Sequence, residues 1–240
     1  MNTVCIIPSR LHSTRLPRKP LLPIQGKPMI QWTYENAHAC RQLNKVVVAT
    51  DAPEIAAVIQ ALNGETVLDD SPFTTGSQRV ASASRSYPEA DIIINLQGDE
   101  PFIKPNMLMQ LITAFDDDTV QMATLAYPLA ASKYTSPASV KVITNLKNDA
   151  LYFSRAPIPY HREKVDKIPV YNHMGVYAFR RDFLSIYAAL PQTPLDACES
   201  LEQLRVLEHG YAIRVCVCLD ATLEINTPEE YEEAQAFCYT

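Results

Sequence analysis

The chain has 240 residues, 47% hydrophobic and 20% charged, with a formal net charge of -6. No apolar run approaches the roughly 20 residues of a bilayer-spanning helix, and an acidic balance argues against general nucleic-acid binding, which leaves a basic footprint over a whole domain. Met1-Asn2-Thr3 runs straight into strand-like sequence, with no basic region or cleavage site, so the expectation is a cytoplasmic protein without membrane insertion or a nucleic-acid partner.

An apolar run at residues 3–7 predicts the first strand. It leads into IIPSRLHSTRLPRKPL, residues 6–21, which carries Arg10, Arg15, Arg18 and Lys19 and no acid. Amphipathic spacing predicts helices over 29–41, 53–61 and 76–87, alternating with strands over 45–49, 65–68 and 92–95. Pro53 suits a first helical turn, and Asn63-Gly64 suits a helix stop. Such alternation implies right-handed βαβ units around a mostly parallel sheet.

After residue 120 the rhythm loosens. Strands are expected over 121–126, 140–143, 171–179 and 214–219, and helices over 104–115, 181–189, 201–209 and 228–237. The charged stretch 162–167 reads as an exposed loop. Leu201, Leu204 and Leu207 form an apolar stripe that belongs to the core. Cysteines at 5, 40, 198, 216, 218 and 238 lack C-x-x-C spacing and read as buried structural thiols rather than a metal or redox site. The whole fits a single α/β domain over 1–240, whose part from about 120 to 215 forms a substrate wall and a dimer surface.

Open α/β sheets bind ligands at the carboxyl ends of their strands, and the basic loop lies at such an end. Arginine offers a planar fork for phosphate oxygens and lysine a compact charge. A solvated surface patch would normally mix signs; this segment does not. It lacks both the P-loop and the G-x-G-x-x-G patterns.

IPSRLHSTRLPRKPLLPIQGKPMI at 7–30 resembles the N-terminal signature of the 3-deoxy-manno-octulosonate cytidylyltransferases, the CMP-Kdo synthetases. VVVATD (46–51), TGSQRV (75–80), NLQGDEP (95–101), ALYFSRAPIPY (150–160), HMGVYAFRRDFL (173–184), LEQLRVLEHG (201–210) and INTPEE (225–230) follow in the same order. The resemblance covers essentially the whole chain. It implies a Rossmann-like, GT-A-related nucleotidyltransferase fold, Mg²⁺ as cofactor and a homodimer. It further implies transfer of CMP from CTP to a 3-deoxy-octulosonic acid, with release of pyrophosphate, for lipopolysaccharide synthesis.

Carried onto this chain, the resemblance assigns Arg10, Arg15 and Lys19 to the triphosphate, with Pro8, Ser13 and Thr14 beside them. Thr75, Gly76, Ser77 and Arg79 open a helix, where unpaired N–H groups favour anions and polar ligands, and are assigned to cytosine and ribose. Asp99, a carboxylate just past a strand end, suits Mg²⁺; Glu100 points to the other face. Gln97, Arg155, His173, Tyr177, Glu202 and Gln203 are expected on the sugar, and Gln97 on the nucleotide as well. Four positions depart from the family pattern: Arg18 stands for glycine, Phe73 for histidine, Gln78 for an acid and Asn226 for the second metal-binding aspartate. Either Asn226 or Glu224, two residues away on the same strand face, is expected to complete the metal site. Two other readings remain open: the same reaction on 8-amino-8-deoxy-Kdo or a related keto-deoxy acid, and a non-catalytic nucleotide-binding relative.

Overall fold

The computed structural model describes residues 1–13, 16–73, 75–163, 169–219 and 221–236. In chain order these form β1 (Thr3–Ser9), β2 (Pro23–Ile24), β3 (Lys27–Pro28), α1 (Met29–His38), β4 (Lys45–Thr50), α2 (Pro53–Gln60), β5 (Glu65–Leu68), α3 (Gly76–Ser84), β6 (Ile92–Asn95) and α4 (Pro105–Thr113). They continue with β7 (Met122–Pro128), β8 (Lys141–Thr144), β9 (Ala150–Ser154), β10 (Tyr171–Arg180), α5 (Arg181–Ala189), α6 (Pro194–Glu199), α7 (Leu204–Glu208), β11 (Arg214–Val217) and α8 (Pro228–Ala236). Two compact units result, Met1–Met109 with Thr222–Thr240, and Gln110–Ala221.

In the first unit β6, β1, β4 and β5 lie side by side, all parallel. Every residue of β1 and β6 is buried, as expected of parallel strands covered on both faces. That two-sided burial is why the first strands are continuous Val and Ile runs. Ser9 pairs in register with Thr50, so β1 and β4 end together. β2 and β3 form a small hairpin whose central residues, Gln25 (φ 48) and Gly26 (φ 82), take the two positive φ values of a tight two-residue turn. A cluster of Leu16, Ile24, Met29, Phe102, Ile225 and Ala234 packs the basic loop, this hairpin, α1 and α8 together. α8 is pinned further by Tyr231 Oη donating to the Pro23 carbonyl at 2.7 Å.

In the second unit β10 pairs antiparallel with β7 and β8, β8 antiparallel with β9, and β11 parallel with β7. The register of β10 against β7 shifts between Met174 and Tyr177. The fully buried Thr124 hydroxyl reaches both carbonyls of the shifted segment, Val176 O at 2.9 Å and Met174 O at 3.2 Å.

Several expected boundaries move. α1 stops at His38 rather than 41, because the chain turns back through Cys40 to dock Asn44 on Thr3, whose amide donates to Asn44 Oδ1 at 2.8 Å. α3 stops at Ser84 rather than 87; Tyr87 precedes Pro88, and a residue before proline disfavours the helical region. α7 begins at Leu204 rather than 201. β9 and α6 were not expected from the sequence. Of the expected loop 162–167, residues 164–167 lie outside the described residues, as does the last residue of the expected helix 228–237. Cys5, Cys40 and Cys218 are buried as anticipated, whereas Cys198 is exposed, since α6 presents it to solvent; Cys238 lies outside the described residues.

The Asn63-Gly64 stop is sterically demanding. Asn63 takes φ 58, and a Cβ on Gly64 would lie 2.6 Å from Ile59 Cγ2 and 2.7 Å from Tyr34 Oη. Gly64→Ala is therefore expected to destabilise the protein by about 1–3 kcal/mol, the usual cost of overpacking. Urea denaturation reads this as a lower midpoint at constant slope; an unchanged midpoint would mean that Tyr34 moves aside at no cost.

Candidate active site

At the carboxyl ends of β1 and β6 a cavity of about 250 Å³ opens, lined by Pro8, Ser9, Arg10, His12, Ser13, Lys19, Pro20, Met29, Phe73, Thr75, Gly76, Arg79, Gln97, Gly98, Asp99 and Asn226. All of these belong to the first unit. The structure thus gathers most of the residues expected on the nucleotide and the metal. Thr14 and Arg15 lie outside the described residues.

Lys19 stands at the start of a short 3-10 turn that follows Arg18. Its ammonium donates to Asp99 Oδ2 at 2.6 Å, the Ile225 carbonyl at 3.0 Å and Asn226 Oδ1 at 3.3 Å. The Lys19–Asp99 pair is largely shielded, with side-chain exposures of 15% and 19%. Asn226 is held by the start of α8: Glu230 accepts from the Asn226 and Thr227 amides at 2.7 and 2.9 Å, while Thr227 Oγ1 accepts from Glu230 N at 3.2 Å. This reciprocal cap fixes the backbone, so the Asn226 amide can face Lys19. One carboxylate, one amide oxygen and one carbonyl around a single positive charge are the hard oxygen donors that suit Mg²⁺. The residues present therefore fit that ion.

Glu224 is not on the cavity wall. Crowding by protein atoms, then the Asp99 charge, raise its carboxyl above the usual range although part of the residue is open to solvent; its hydrogen bond with Asn226 opposes the shift. Glu100 is buried, as its position beside Asp99 suggested, and accepts from Thr222 Oγ1 at 3.2 Å. Burial, then the charges of Glu224 and Asp99, push it well above the ordinary carboxylate value.

Arg10 is exposed at the cavity and forms no ion pair among the described residues. Arg18 adopts φ 56, the left-handed region in which glycine is strain-free, and its guanidinium turns to Glu54 at 3.3 Å. The loop thus keeps a glycine-like shape with arginine in place.

Thr75 caps α3, its hydroxyl accepting from Gln78 N at 3.2 Å. The positive end of the α3 dipole, at this first turn, then favours an anionic or polar ligand. Gly76 lies against Gln97: a Cβ there would meet Gln97 Oε1 at 3.2 Å. Gln97 Nε2 donates to Asn95 Oδ1 at 2.9 Å, and Asn95 Nδ2 donates to Ser77 Oγ at 3.3 Å. Ser77 is therefore turned into the fold, supporting Gln97 rather than lining the cavity. Arg79 touches the wall, but its guanidinium is committed: Nη1 donates to Asp69 O at 2.7 Å, Nη2 to Asp51 Oδ2 at 3.2 Å, and the group stacks over Phe73 at 5.1 Å. It braces the cavity floor.

The residues expected on the sugar other than Gln97 lie in the second unit. Arg155 follows β9, with Nε donating to Glu199 O at 2.9 Å and Nη1 to Pro137 O at 3.0 Å. His173 on β10 sits between Thr124 Oγ1 (3.0 Å from Nε2) and Gln203 Nε2 (3.5 Å from Nδ1). The Thr124 proton is directed to carbonyls, so its oxygen accepts from His173 Nε2–H, and Nδ1 is left to accept from Gln203. Burial pushes His173 down to about 3, so its imidazole is neutral near pH 7. Tyr177 is buried with its ring 5.4 Å from that of His173. Glu202 is partly buried, 3.9 Å from Arg205 Nη1. Leu201 and Leu204 are buried core as expected, and Leu207 is half-buried.

Sequence reasoning missed Ser9, His12, Pro20, Met29 and Gly98 on the cavity wall, and Asn95 beneath Gln97. Asn95, the one polar residue ending an apolar strand, carried a usable signal. Met29 did not, since it reads as core.

A parallel sheet bearing a polar cavity with cations and one hard-oxygen corner at its strand ends suits the phosphates of a nucleotide, and the chain's similarity to known proteins makes it a nucleotidyltransferase. The chain belongs to the cytidylyltransferase family, whose sequence model matches residues 4–214. It is 46% identical over 239 residues to a 3-deoxy-manno-octulosonate cytidylyltransferase of Acaryochloris marina, covering 99% of this chain and 97% of the relative. It is 40% identical over 240 residues to an 8-amino-3,8-dideoxy-manno-octulosonate cytidylyltransferase of a Shewanella species, covering 98% of each. A solved CMP:2-keto-3-deoxy-manno-octonic acid synthetase complexed with CTP superposes with a TM-score of 0.93 at 42% identity over 98% of both chains.

His173 has a lower proton affinity folded than its ordinary 6.5. Protons then favour the unfolded chain, so the stability due to neutral His173 is complete above about pH 6.5 and is lost as pH falls toward about 3. Thermal melts at stepped pH are expected to show this loss, and His173→Gln to flatten it. An equal slope in both proteins would mean that His173 does not titrate there.

Proposed function

We propose that this protein transfers CMP from CTP to 3-deoxy-manno-octulosonate, releasing pyrophosphate, in the route to lipopolysaccharide. The observation that carries this reading is the Arg10–Lys19–Asp99–Asn226 corner of the cavity, in a chain whose similar relatives are named for that sugar acid. A sugar hydroxyl attacks the α-phosphorus: the new O–P bond forms in line, the bond to the β-phosphate oxygen breaks, and pyrophosphate leaves. Such chemistry depends on positioning and charge neutralisation. Arg10 and Lys19, with Arg15 of the same loop, neutralise the triphosphate. The α3 N-terminus and Gln97 orient the nucleoside, and Arg155 supplies the cation for the sugar carboxylate. His173, being neutral and bonded at both ring nitrogens to Thr124 and Gln203, serves the sugar site by holding Gln203 rather than by pairing with that carboxylate. Gln203, Tyr177 and Glu202 complete the sugar contacts.

Asp99 and Asn226 would hold Mg²⁺, which when bound neutralises charge developing on the phosphate oxygens. Asn226 brings no charge of its own, so Asp99 supplies the negative charge of the site; the raised carboxyl of Glu224 suits it poorly to that part. The protein is read as a cytoplasmic homodimer that does not act on nucleic acid; the family resemblance supports the dimer.

The 8-amino sugar is the second reading, favoured by the Shewanella relative's name. Pyrophosphate release with CTP, Mg²⁺ and each sugar acid in parallel decides between them. We expect turnover with 3-deoxy-manno-octulosonate, none with hexose 1-phosphates, and a slower rate with the 8-amino sugar. Asp99→Ala is expected to lower turnover at least about tenfold, since contacts to charged groups are worth about 1.5–3 kcal/mol. Asn226→Asp is expected to lower the Mg²⁺ concentration needed. CTP binding by calorimetry without turnover on any keto-deoxy acid would instead identify a non-catalytic relative.

A further inference from the structure

Lys141 opens β8 and is fully buried, yet the family resemblance assigns it no role. Its ammonium donates to the carbonyls of Ser136 at 2.8 Å, Ser139 at 2.8 Å and Arg155. Three N–H donors meet three acceptors, so the buried charge is fully hydrogen-bonded, as burial demands. Burial pushes its pKa below the ordinary lysine value, with the Glu199 charge opposing.

The three acceptors share a purpose. One is the backbone of Arg155 itself. The other two bracket Pro137, whose carbonyl accepts from Arg155 Nη1 at 3.0 Å. Glu199 completes the cage: its carboxylate accepts from the Arg155 amide at 2.8 Å and Ser154 Oγ at 2.6 Å, and its carbonyl from Arg155 Nε at 2.9 Å. Arg155 is thus held along Nε and one N–H of Nη1. Nη2 makes no hydrogen bond among the described residues, which leaves its N–H donors for an oxygen of a carboxylate. An arginine stem has several rotatable bonds, and only a clamped one presents those donors in one place.

We propose that Lys141 is a positioning residue for Arg155 and, through it, for binding the carboxylate of the sugar acid. The proposal rests on the sugar-side reading of Arg155 given above. Lysine reaches the site with a compact ammonium that can serve three carbonyls at once. Methionine is close to it in length and carries no N–H donor, so it leaves all three carbonyls unpaired.

The test is a double-mutant cycle on the full chain with Lys141→Met and Arg155→Ala. The readings are the KM for 3-deoxy-manno-octulosonate at saturating CTP and Mg²⁺, the CTP Kd by calorimetry, and the melting temperature. Arg155→Ala is expected to raise the sugar KM about tenfold or more, the scale of a lost charge-assisted contact. Lys141→Met should raise it comparably, with the CTP Kd unchanged, and add no further rise in the Arg155→Ala background. If Lys141→Met does not fold, Lys141→Gln, which keeps two N–H donors, replaces it; a smaller rise with the same lack of additivity supports the proposal. A lowered melting temperature with an unchanged sugar KM makes Lys141 merely structural and overturns the inference while leaving the sugar reading intact. Multiplying effects in the double variant overturn it too. An unchanged KM in Arg155→Ala removes Arg155 from the sugar site, and the inference falls with it.

Discussion

A single ammonium, that of Lys19, ties three distant stretches of chain to one point. Asp99 follows β6, Ile225 and Asn226 precede α8, and Lys19 belongs to the loop after β1. Without a cation among them, an aspartate, a carbonyl and an amide oxygen would stand together with no donor to share, at a cost that grows as water is excluded. An apolar cluster that includes Leu16, Met29, Phe102 and Ile225 packs the same stretches of chain together. The corner is at once a structural joint and the part of the cavity best suited to a hard cation.

The cations of the first unit divide by how they are partnered. Arg79 is spent on Asp51, the Asp69 carbonyl and the ring of Phe73, so its charge is absorbed by the scaffold. Arg18 is turned away to Glu54. Arg10 stands at the cavity with no ion pair among the described residues. Counting basic residues in a loop therefore overstates the charge available to a ligand. What matters is which guanidinium has already found an acceptor.

The second unit solves a related problem with buried polar groups. Thr124 sits where β10 slips its register, gives its proton to the buried carbonyls of the shifted segment and by that choice sets the tautomer of His173. Lys141 does similar work for a turn and for Arg155. Each is a polar group buried because several main-chain carbonyls need the same donor, which is the condition under which such burial is tolerated.

The parallel strands were legible in the sequence because burial on both faces requires uninterrupted Val and Ile. The position of the basic loop followed, since it comes directly after the first of them. Boundaries were less legible where a distant contact ends an element, as Thr3 does for the segment after α1. β9 escaped notice because its apolar run, Ala150 to Phe153, is short and does not alternate, and so does not distinguish a strand from other buried chain. Composition and motif order determined the fold class and the chemical types at the site. Only the tertiary structure decided which of those side chains meet: that Lys19 joins Asp99 and Asn226, that Ser77 and Arg79 serve the scaffold, and that a lysine inside β8 holds Arg155. Pairing of donors with acceptors is set by distances between segments far apart along the chain, and no local pattern encodes those distances.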